Sequence, residues 1–309
     1  MRVVVAGSPD VAVVTLNALM RMNHPEIDIV GVISQPARPV GRKRVLTPTP
    51  LAEAAEAYGL SCATPDDAAG LVEALREFDP DLAVAVAYGR LIGAEARAIP
   101  RLGWWNVHYS LLPHYRGATP VQHALLAGDR RTGVTIFQID EGLDTGPILA
   151  RKEHAIEPFL HSGQLLSQLA EVGAALLMET LVQAAEGSLS KAPQGGQASM
   201  APKLGRDAGL LDFTEPVSQV FRRWQAVTPE PGAFTTIHGK DTQLAILRAR
   251  PAPEVVELGP GEVRAVDGRV LIGCARGALE VTDVQPAGKK PMSAADWLRG
   301  AGPDVICGG

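Results

Sequence analysis

Arg2-Val3-Val4-Val5-Ala6-Gly7, followed at once by Ser8-Pro9-Asp10, opens the chain and decides its fold. The apolar run is continuous rather than alternating, which is what a strand covered on both faces requires, and such strands belong to parallel sheets flanked by helices. Ser8 can cap a helix and Pro9 can occupy its first position. Val11, Val14, Leu19 and Met20 then recur at roughly helical spacing. Outward from this unit the alternation repeats. Residues 27–33 read as a second strand, and 51–58 as a helix closed by Gly59. A helix around Leu71, Leu75 and Phe78 precedes a buried strand at 82–87. This β-α-β-α order predicts an α/β fold with a doubly wound, mostly parallel Rossmann-like sheet. The turn Gly7-Ser8-Pro9-Asp10 lacks GxGxxG, and its proline stiffens the backbone where a dinucleotide fold keeps it open, so a nicotinamide cofactor is not expected.

Residues 103–108 form the next expected strand, 118–127 a helix, and 134–139 and 148–156 two more strands joined by Asp140-Glu141-Gly142-Leu143-Asp144-Thr145-Gly146-Pro147. An amphipathic helix is expected over 162–186. After Gly187 the composition turns to Gly, Ser, Gln, Ala and Pro, as in a linker. Beyond it, short β-like runs separated by turns recur at 232–238, 243–249, 261–266, 269–273 and 278–284. They predict a small all-β barrel, OB-like, at the C-terminal end. The expected organisation is a catalytic domain at 1–187, a linker at 188–203 and a β-barrel domain at 204–309.

The chain has 309 residues, 46% of them hydrophobic and 20% charged, enough for packed cores. It starts on a strand rather than a basic segment with an apolar stretch, and no run of about 18 apolar residues occurs, so neither a signal peptide nor a transmembrane helix is expected. Cys62, Cys274 and Cys307 are scattered without a CxxC, which argues against a zinc ribbon or a redox pair and fits a reducing, cytoplasmic setting. The net charge of −5 gives no global attraction for nucleic acid. Its distribution does: Arg38, Arg42, Lys43 and Arg44 fall in an acid-free stretch between Asp28 and Glu53, and Lys191, Lys203 and Arg206 in another. Pro36, Pro39, Pro48 and Pro50 stiffen the first stretch, and cations without intervening carboxylates suit phosphates.

Asn106 and His108 are two apart, so on a strand they share a face. They lie at its C-terminal end, where open α/β sheets bind ligands. Asn supplies amide N–H donors and His a nitrogen that titrates near neutrality. Asp144 stands in a glycine-bounded loop able to fold back toward the imidazole. Taken singly, these are a hydrogen-bonded strand end and a turn-forming aspartate. His108, His114 and His123 do not match a zinc pattern, and no metal is expected. Trp104-Trp105 reads as burial on a strand rather than a stacking platform.

The surrounding residues are more specific. Ser110-Leu111-Leu112-Pro113 follows directly, then Tyr115-Arg116-Gly117, Pro120-Val121-Gln122, Gly133-Val134-Thr135 and Gly142-Leu143-Asp144-Thr145-Gly146. Here the chain resembles the formyltransferases that use 10-formyltetrahydrofolate. The resemblance implies that Asn106, His108 and Asp144 are catalytic and that Ser110, Leu111, Leu112 and Pro113 form the folate-binding loop. Tyr109 and His114 depart from the family's pattern, in ways that bear on pocket shape rather than on a catalytic group. Gln285-Pro286-Ala287-Gly288-Lys289-Lys290-Pro291-Met292-Ser293, with Asp296-Trp297-Leu298-Arg299-Gly300, is similar to the terminal signature of the methionyl-tRNA formyltransferase family. So is Ser34-Gln35-Pro36 with Arg38-Pro39 and Gly41-Arg42. That resemblance spans essentially the whole chain. It implies a methionyl-initiator tRNA acceptor contacted by Arg38, Arg42, Lys43 and Arg44. Separately, a monomer without a membrane partner is expected.

The implied reaction has chemical requirements. The attacking α-amine must be neutral, and such amines titrate near about 7.7–8.0 before an adjacent ester lowers them. Asn106 would hold the tetrahedral oxyanion and His108 would move protons. Asp144 would either orient His108 and raise its pKa or position a water. Rival readings are a sugar or nucleotide formyltransferase, a folate hydrolase, and a non-catalytic tRNA-binding protein. The first leaves the basic loop and β domain unused; the last leaves Asn106, His108 and Asp144 as coincidence.

Overall fold

The computed structural model describes residues 1–22, 24–41, 44–255, 257–302 and 305–308. It divides the chain into two compact units. One holds Met1–Gly117, Arg131–Ala155 and Leu166–Met200; the other holds Ala118–Arg130, Ile156–Leu165 and Ala201–Gly309.

The opening strand is β1 (Arg2–Gly7), followed by α1 (Asp10–Met22), β2 (Asp28–Ile33), a small hairpin of β3 (Arg38–Val40) and β4 (Val45–Thr47), α2 (Pro50–Ala57), β5 (Cys62–Ala63), α3 (Ala68–Phe78) and β6 (Leu82–Val86). Then come α4 (Ala94–Ala98), β7 (Trp104–His108), α5 (Pro120–Ala127), β8 (Arg131–Gln138), β9 (Ile148–Ala155) and α6 (Ser162–Ala185). The sheet order is β5-β2-β1-β6-β7-β8-β9. Pairing is parallel from β5 to β7 and antiparallel for β7 with β8 and β8 with β9. The expected doubly wound, mostly parallel sheet is therefore present, with an antiparallel edge.

Val3, Val4, Val5 and Ala6 are fully buried, as their unbroken apolar run requires. Gly7 ends the strand because nothing larger fits: a Cβ there would lie 2.6 Å from both the Ala12 Cβ and the Val86 carbonyl oxygen. Thr49 caps α2 by accepting from the Ala52 N–H, and Asp67 caps α3 by accepting from the Gly70 N–H. Trp104 and Trp105 are both buried, so neither offers a stacking surface. By length and composition alone α6 could cross a membrane. Its Leu165, Leu169, Leu177 and Leu181 are instead fully buried in the protein.

The second unit carries, besides α5, the helix α7 (Val217–Val227), strands β10 (Phe234–Ile237), β11 (Lys240–Ala252), β12 (Val263–Val266), β13 (Arg269–Gly273), β14 (Ala278–Pro286) and β15 (Met292–Ser293), and α8 (Ala294–Ala301). Its antiparallel path is β10-β11-β14-β13-β12, with β15 on β14. The last residues join the two edges. Cys307 bridges Ile237 at the end of β10, while Ile306 bridges Glu262 beside β12. The Gly308 N–H donates to the Thr236 carbonyl at 2.9 Å and the Val263 N–H to the Val305 carbonyl at 3.1 Å. Edge strands are thus paired rather than left open, which makes the expected barrel. α7 is absent from the sequence expectation, although Val217, Val220, Phe221 and Trp224 have helical spacing. All four are buried in the barrel-side core, and the Trp224 Nε1–H donates to the Ile246 carbonyl at 2.9 Å.

Candidate active site

Asn106 and His108 sit at the carboxyl end of β7, opposite Phe137 and Thr135 of β8. The Asn106 side chain is half-buried, and among the described residues its carboxamide makes no hydrogen bond. His108 is 5% exposed. Its Nε2 lies 2.9 Å from the Tyr115 carbonyl oxygen. A carbonyl oxygen only accepts, so Nε2 carries the proton and Nδ1 holds the free lone pair. That Nδ1 faces the Asp144 carboxylate, with Oδ2 at 3.7 Å, which is too far for a hydrogen bond. The Tyr115 carbonyl, not Asp144, sets the orientation of the ring. Burial pushes the His108 pKa down and prevails over the raising effects of Asp144 and of the Tyr115 carbonyl. The expectation that Asp144 raises this pKa holds for its own contribution, not for the net result.

Asp144 Oδ2 accepts from the Gly117 N–H at 2.7 Å. Its backbone is left-handed, φ 52°, and that of Tyr115 is φ 60°. Such conformations cost about 1–3 kcal/mol each and persist where surrounding contacts impose them. For Asp144 the 140–147 loop supplies those contacts. Asp140 Oδ1 accepts from the Gly142 N–H at 3.1 Å and the Thr145 hydroxyl at 2.6 Å. A Cβ on Gly146 would lie 1.8 Å from the Gln138 carbonyl oxygen, so only glycine closes the loop.

Within the Ser110-Leu111-Leu112-Pro113 loop, Ser110 and Leu112 are fully buried. The Ser110 hydroxyl donates to the His114 carbonyl at 2.6 Å, and Thr135 links the Ser110 carbonyl to the Leu112 N–H. Leu112 packs with Phe137 and Ile148. These two side chains shape the loop, leaving half-buried Leu111 as its more accessible member. Tyr109 is buried and shares the opposite face of the strand with Val107, where Gly173 of α6 approaches both. Its difference from the family's pattern therefore lies away from His108. His114 is exposed.

Two arrangements are not part of the sequence expectation. The first lies where the strand order reverses, beyond the ends of β1 and β6. Gln35 Nε2 donates to the Tyr88 carbonyl at 3.0 Å, and Arg90 Nε donates to Gln35 Oε1 at 2.9 Å. Gln35 belongs to the Ser34-Gln35-Pro36 stretch already singled out in the sequence; its pairing with Arg90 is what the structure adds. The second is the segment expected as a free linker. Residues 191–200 lie in the first unit, hydrogen-bonded to both site loops. Ala192 and Ile148 exchange two backbone hydrogen bonds, at 2.7 and 2.9 Å, and the Tyr115 N–H donates to the Ser199 hydroxyl at 2.9 Å.

Of the basic loop, Arg38 lies on exposed β3 and donates weakly to Gln35 Oε1 at 3.3 Å. Arg44 is exposed in the turn with φ 49°. Arg42 and Lys43 lie outside the described residues. The hairpin also exposes Val40, Val45 and Leu46. Among the described residues no group of three or more His, Cys, Asp and Glu side chains is arranged to share a metal ion.

Residues 1–181 match the formyl transferase family, and residues 203–302 the formyl transferase C-terminal domain. The chain is 45% identical over 306 residues to the methionyl-tRNA formyltransferase of Paenarthrobacter aurescens, spanning 97% of each. It is 44% identical over 307 residues to that of Leifsonia xyli, spanning 99% of each. Its fold is shared with HypX from Aquifex aeolicus, a structure in complex with tetrahydrofolic acid. The TM-score there is 0.67 at 21% identity, over 96% of this chain and 47% of that one.

Proposed function

The chain belongs to the methionyl-tRNA formyltransferase family, and from that membership we propose that Asn106, His108 and Asp144 carry its reaction. The enzyme transfers the formyl group of 10-formyltetrahydrofolate to the α-amino group of methionyl-initiator tRNA, giving the formylmethionyl-tRNA used in translation initiation.

The neutral amine attacks the formyl carbon, and the carbonyl oxygen becomes an oxyanion. Asn106 donates to that oxygen; the reading rests on its half-buried carboxamide, unpaired among the described residues and two positions from His108. His108 takes the amine proton on Nδ1, because Nε2 already carries a proton held by Tyr115. The imidazolium so formed has the Asp144 carboxylate beside Nδ1. Asp144 then acts through its charge, with ring orientation left to the Tyr115 carbonyl. As the C–N10 bond breaks, N10 takes the proton back from the His108 imidazolium, and tetrahydrofolate leaves. Holding both substrates together makes a covalent enzyme intermediate unnecessary.

The folate is assigned to the loop of Ser110, Leu111, Leu112 and Pro113, through Leu111 and the loop backbone. The tRNA is assigned to Arg38, Arg42, Lys43 and Arg44 and to a barrel domain at 204–309, with the catalytic domain at 1–187. The enzyme works as a cytoplasmic monomer, without a membrane partner. The test is a formylation assay on charged initiator and elongator methionyl-tRNAs. Asn106→Ala is expected to lose about 10²–10³ in kcat and His108→Ala about 10²–10⁴, with folding intact. Full turnover in either variant overturns the assignment.

A further inference from the structure

Residues 188–203 have the composition of a linker, yet one side chain among them is bonded to its full capacity at the site. Gln194 Oε1 accepts from Arg116 Nη2 at 2.6 Å and from Arg116 Nε at 3.2 Å. Its Nε2 donates to the Asp144 carbonyl at 2.8 Å and the Gly146 carbonyl at 2.9 Å. A guanidinium only donates and a carbonyl only accepts, so the orientation of the carboxamide is fixed by its partners. Both its N–H groups and both its oxygen lone pairs are used. Glutamate at this place would have no donor for the two carbonyls, lysine no acceptor for Arg116, and asparagine a shorter reach.

What Gln194 holds matters more than the number of bonds. Asp144 is in the left-handed conformation, and its carboxylate takes the Gly117 N–H. Arg116 directly follows Tyr115, whose carbonyl holds the His108 ring. Gln194 therefore bridges the loop that aims His108 and the loop that carries Asp144. Neighbouring bonds set its depth. The Ser199 N–H donates to the Pro113 carbonyl at 3.2 Å, and the Arg116 N–H donates to the Ser199 carbonyl at 2.8 Å.

We propose that Gln194 is a positioning residue for formyl transfer, fixing the Asp144 loop against the Tyr115-Arg116 loop so that the carboxylate stands beside His108. The proposal rests on the catalytic reading of His108 and Asp144 given above. It treats residues 191–200 as a strap over the site rather than a spacer.

The test compares Gln194→Glu, Gln194→Ala, Asp144→Asn and the double variant Asp144→Asn/Gln194→Glu in steady-state formylation. Gln194→Glu keeps the size and the Arg116 contact, replaces the two donors by a carboxylate oxygen facing the loop carbonyls, and adds a negative charge. It is expected to lower kcat about 10–100-fold, since a misplacement of about 1 Å can cost 10². KM for the folate and for methionyl-tRNA should stay within about twofold. In the double variant, Gln194→Glu should add little to the loss caused by Asp144→Asn, because both act through one carboxylate. A wild-type kcat in Gln194→Glu overturns the proposal, as does a multiplicative loss in the double variant. If Gln194→Ala unfolds, Gln194→Glu still decides. Full activity in Asp144→Asn would instead sink the catalytic reading, which keeps the two failures apart.

Discussion

His108 is neutral because it is buried, and the sign of that effect has consequences. Its folded pKa lies below the ordinary 6.5 because desolvation outweighs the Asp144 charge and the Tyr115 carbonyl. Near and above 6.5 the ring is therefore a free base with Nδ1 open, as proton uptake from an amine requires. As pH falls through that value the unfolded chain binds the proton first, so this group costs stability on the acid side. An NMR titration of the free protein is expected to place the His108 midpoint below 6.5. In Asp144→Asn it should fall further, since a raising interaction is gone. A midpoint unchanged by Asp144→Asn would mean that the carboxylate is not felt at the ring. Tyr109 tests a different physical effect at the same scale. Its hydroxyl is buried without a hydrogen-bond partner among the described residues, and an unsatisfied buried polar group costs about 1–3 kcal/mol. Tyr109→Phe is expected to raise stability by about 1 kcal/mol and to leave turnover unchanged, read by thermal unfolding and the formylation assay.

At the scale of elements, the loop between β8 and β9 and the β3–β4 hairpin divide the labour. Gly146 permits a closure that no other residue allows. Gly146→Ala must push the loop off the Gln138 carbonyl and move Asp144, so kcat is expected to drop by at least about tenfold, with β8 and β9 still paired. The hairpin presents Arg38 and Arg44 on exposed backbone. Arg38→Ala and Arg44→Ala are expected to raise KM for methionyl-tRNA severalfold and leave folate affinity alone; a loss of folate binding would mean the hairpin has been misassigned. The strands of this hairpin were not foreseen, because Arg-Pro-Val and Val-Leu-Thr are too short to show a period. Val217, Val220, Phe221 and Trp224 mark the stripe of α7 in the sequence, directly ahead of the short β-like runs of that half.

Across the whole molecule the net charge is −5, so attraction for tRNA has to come from local cations. Affinity of that origin falls with salt, at a slope set by the number of phosphates contacted. Raising salt from about 50 to 200 mM is expected to increase KM for methionyl-tRNA while KM for the folate changes little. Each phosphate-contacting Arg replaced should reduce the slope by about 1. Equal salt dependence for both substrates would remove the electrostatic account of tRNA binding.

The sequence by itself determined that the first unit carries a buried, mostly parallel sheet, because the apolar runs at Val3–Ala6 and 82–86 can be satisfied only in a sheet covered on both faces; the strand order was decided by the tertiary structure. It also placed Asn106 and His108 on one face, since side chains alternate along a strand. Only the tertiary structure decided how Asp144 reaches that face. The left-handed turn, the Gly117 N–H and the Gln194 bridge are contacts between residues distant in sequence, with no local period to announce them. The same holds for the strap at 191–200. Glycine, serine and glutamine are the composition of a free linker. They also suit a segment whose backbone and short polar side chains are spent on bonds to other loops, and composition does not record where those bonds go.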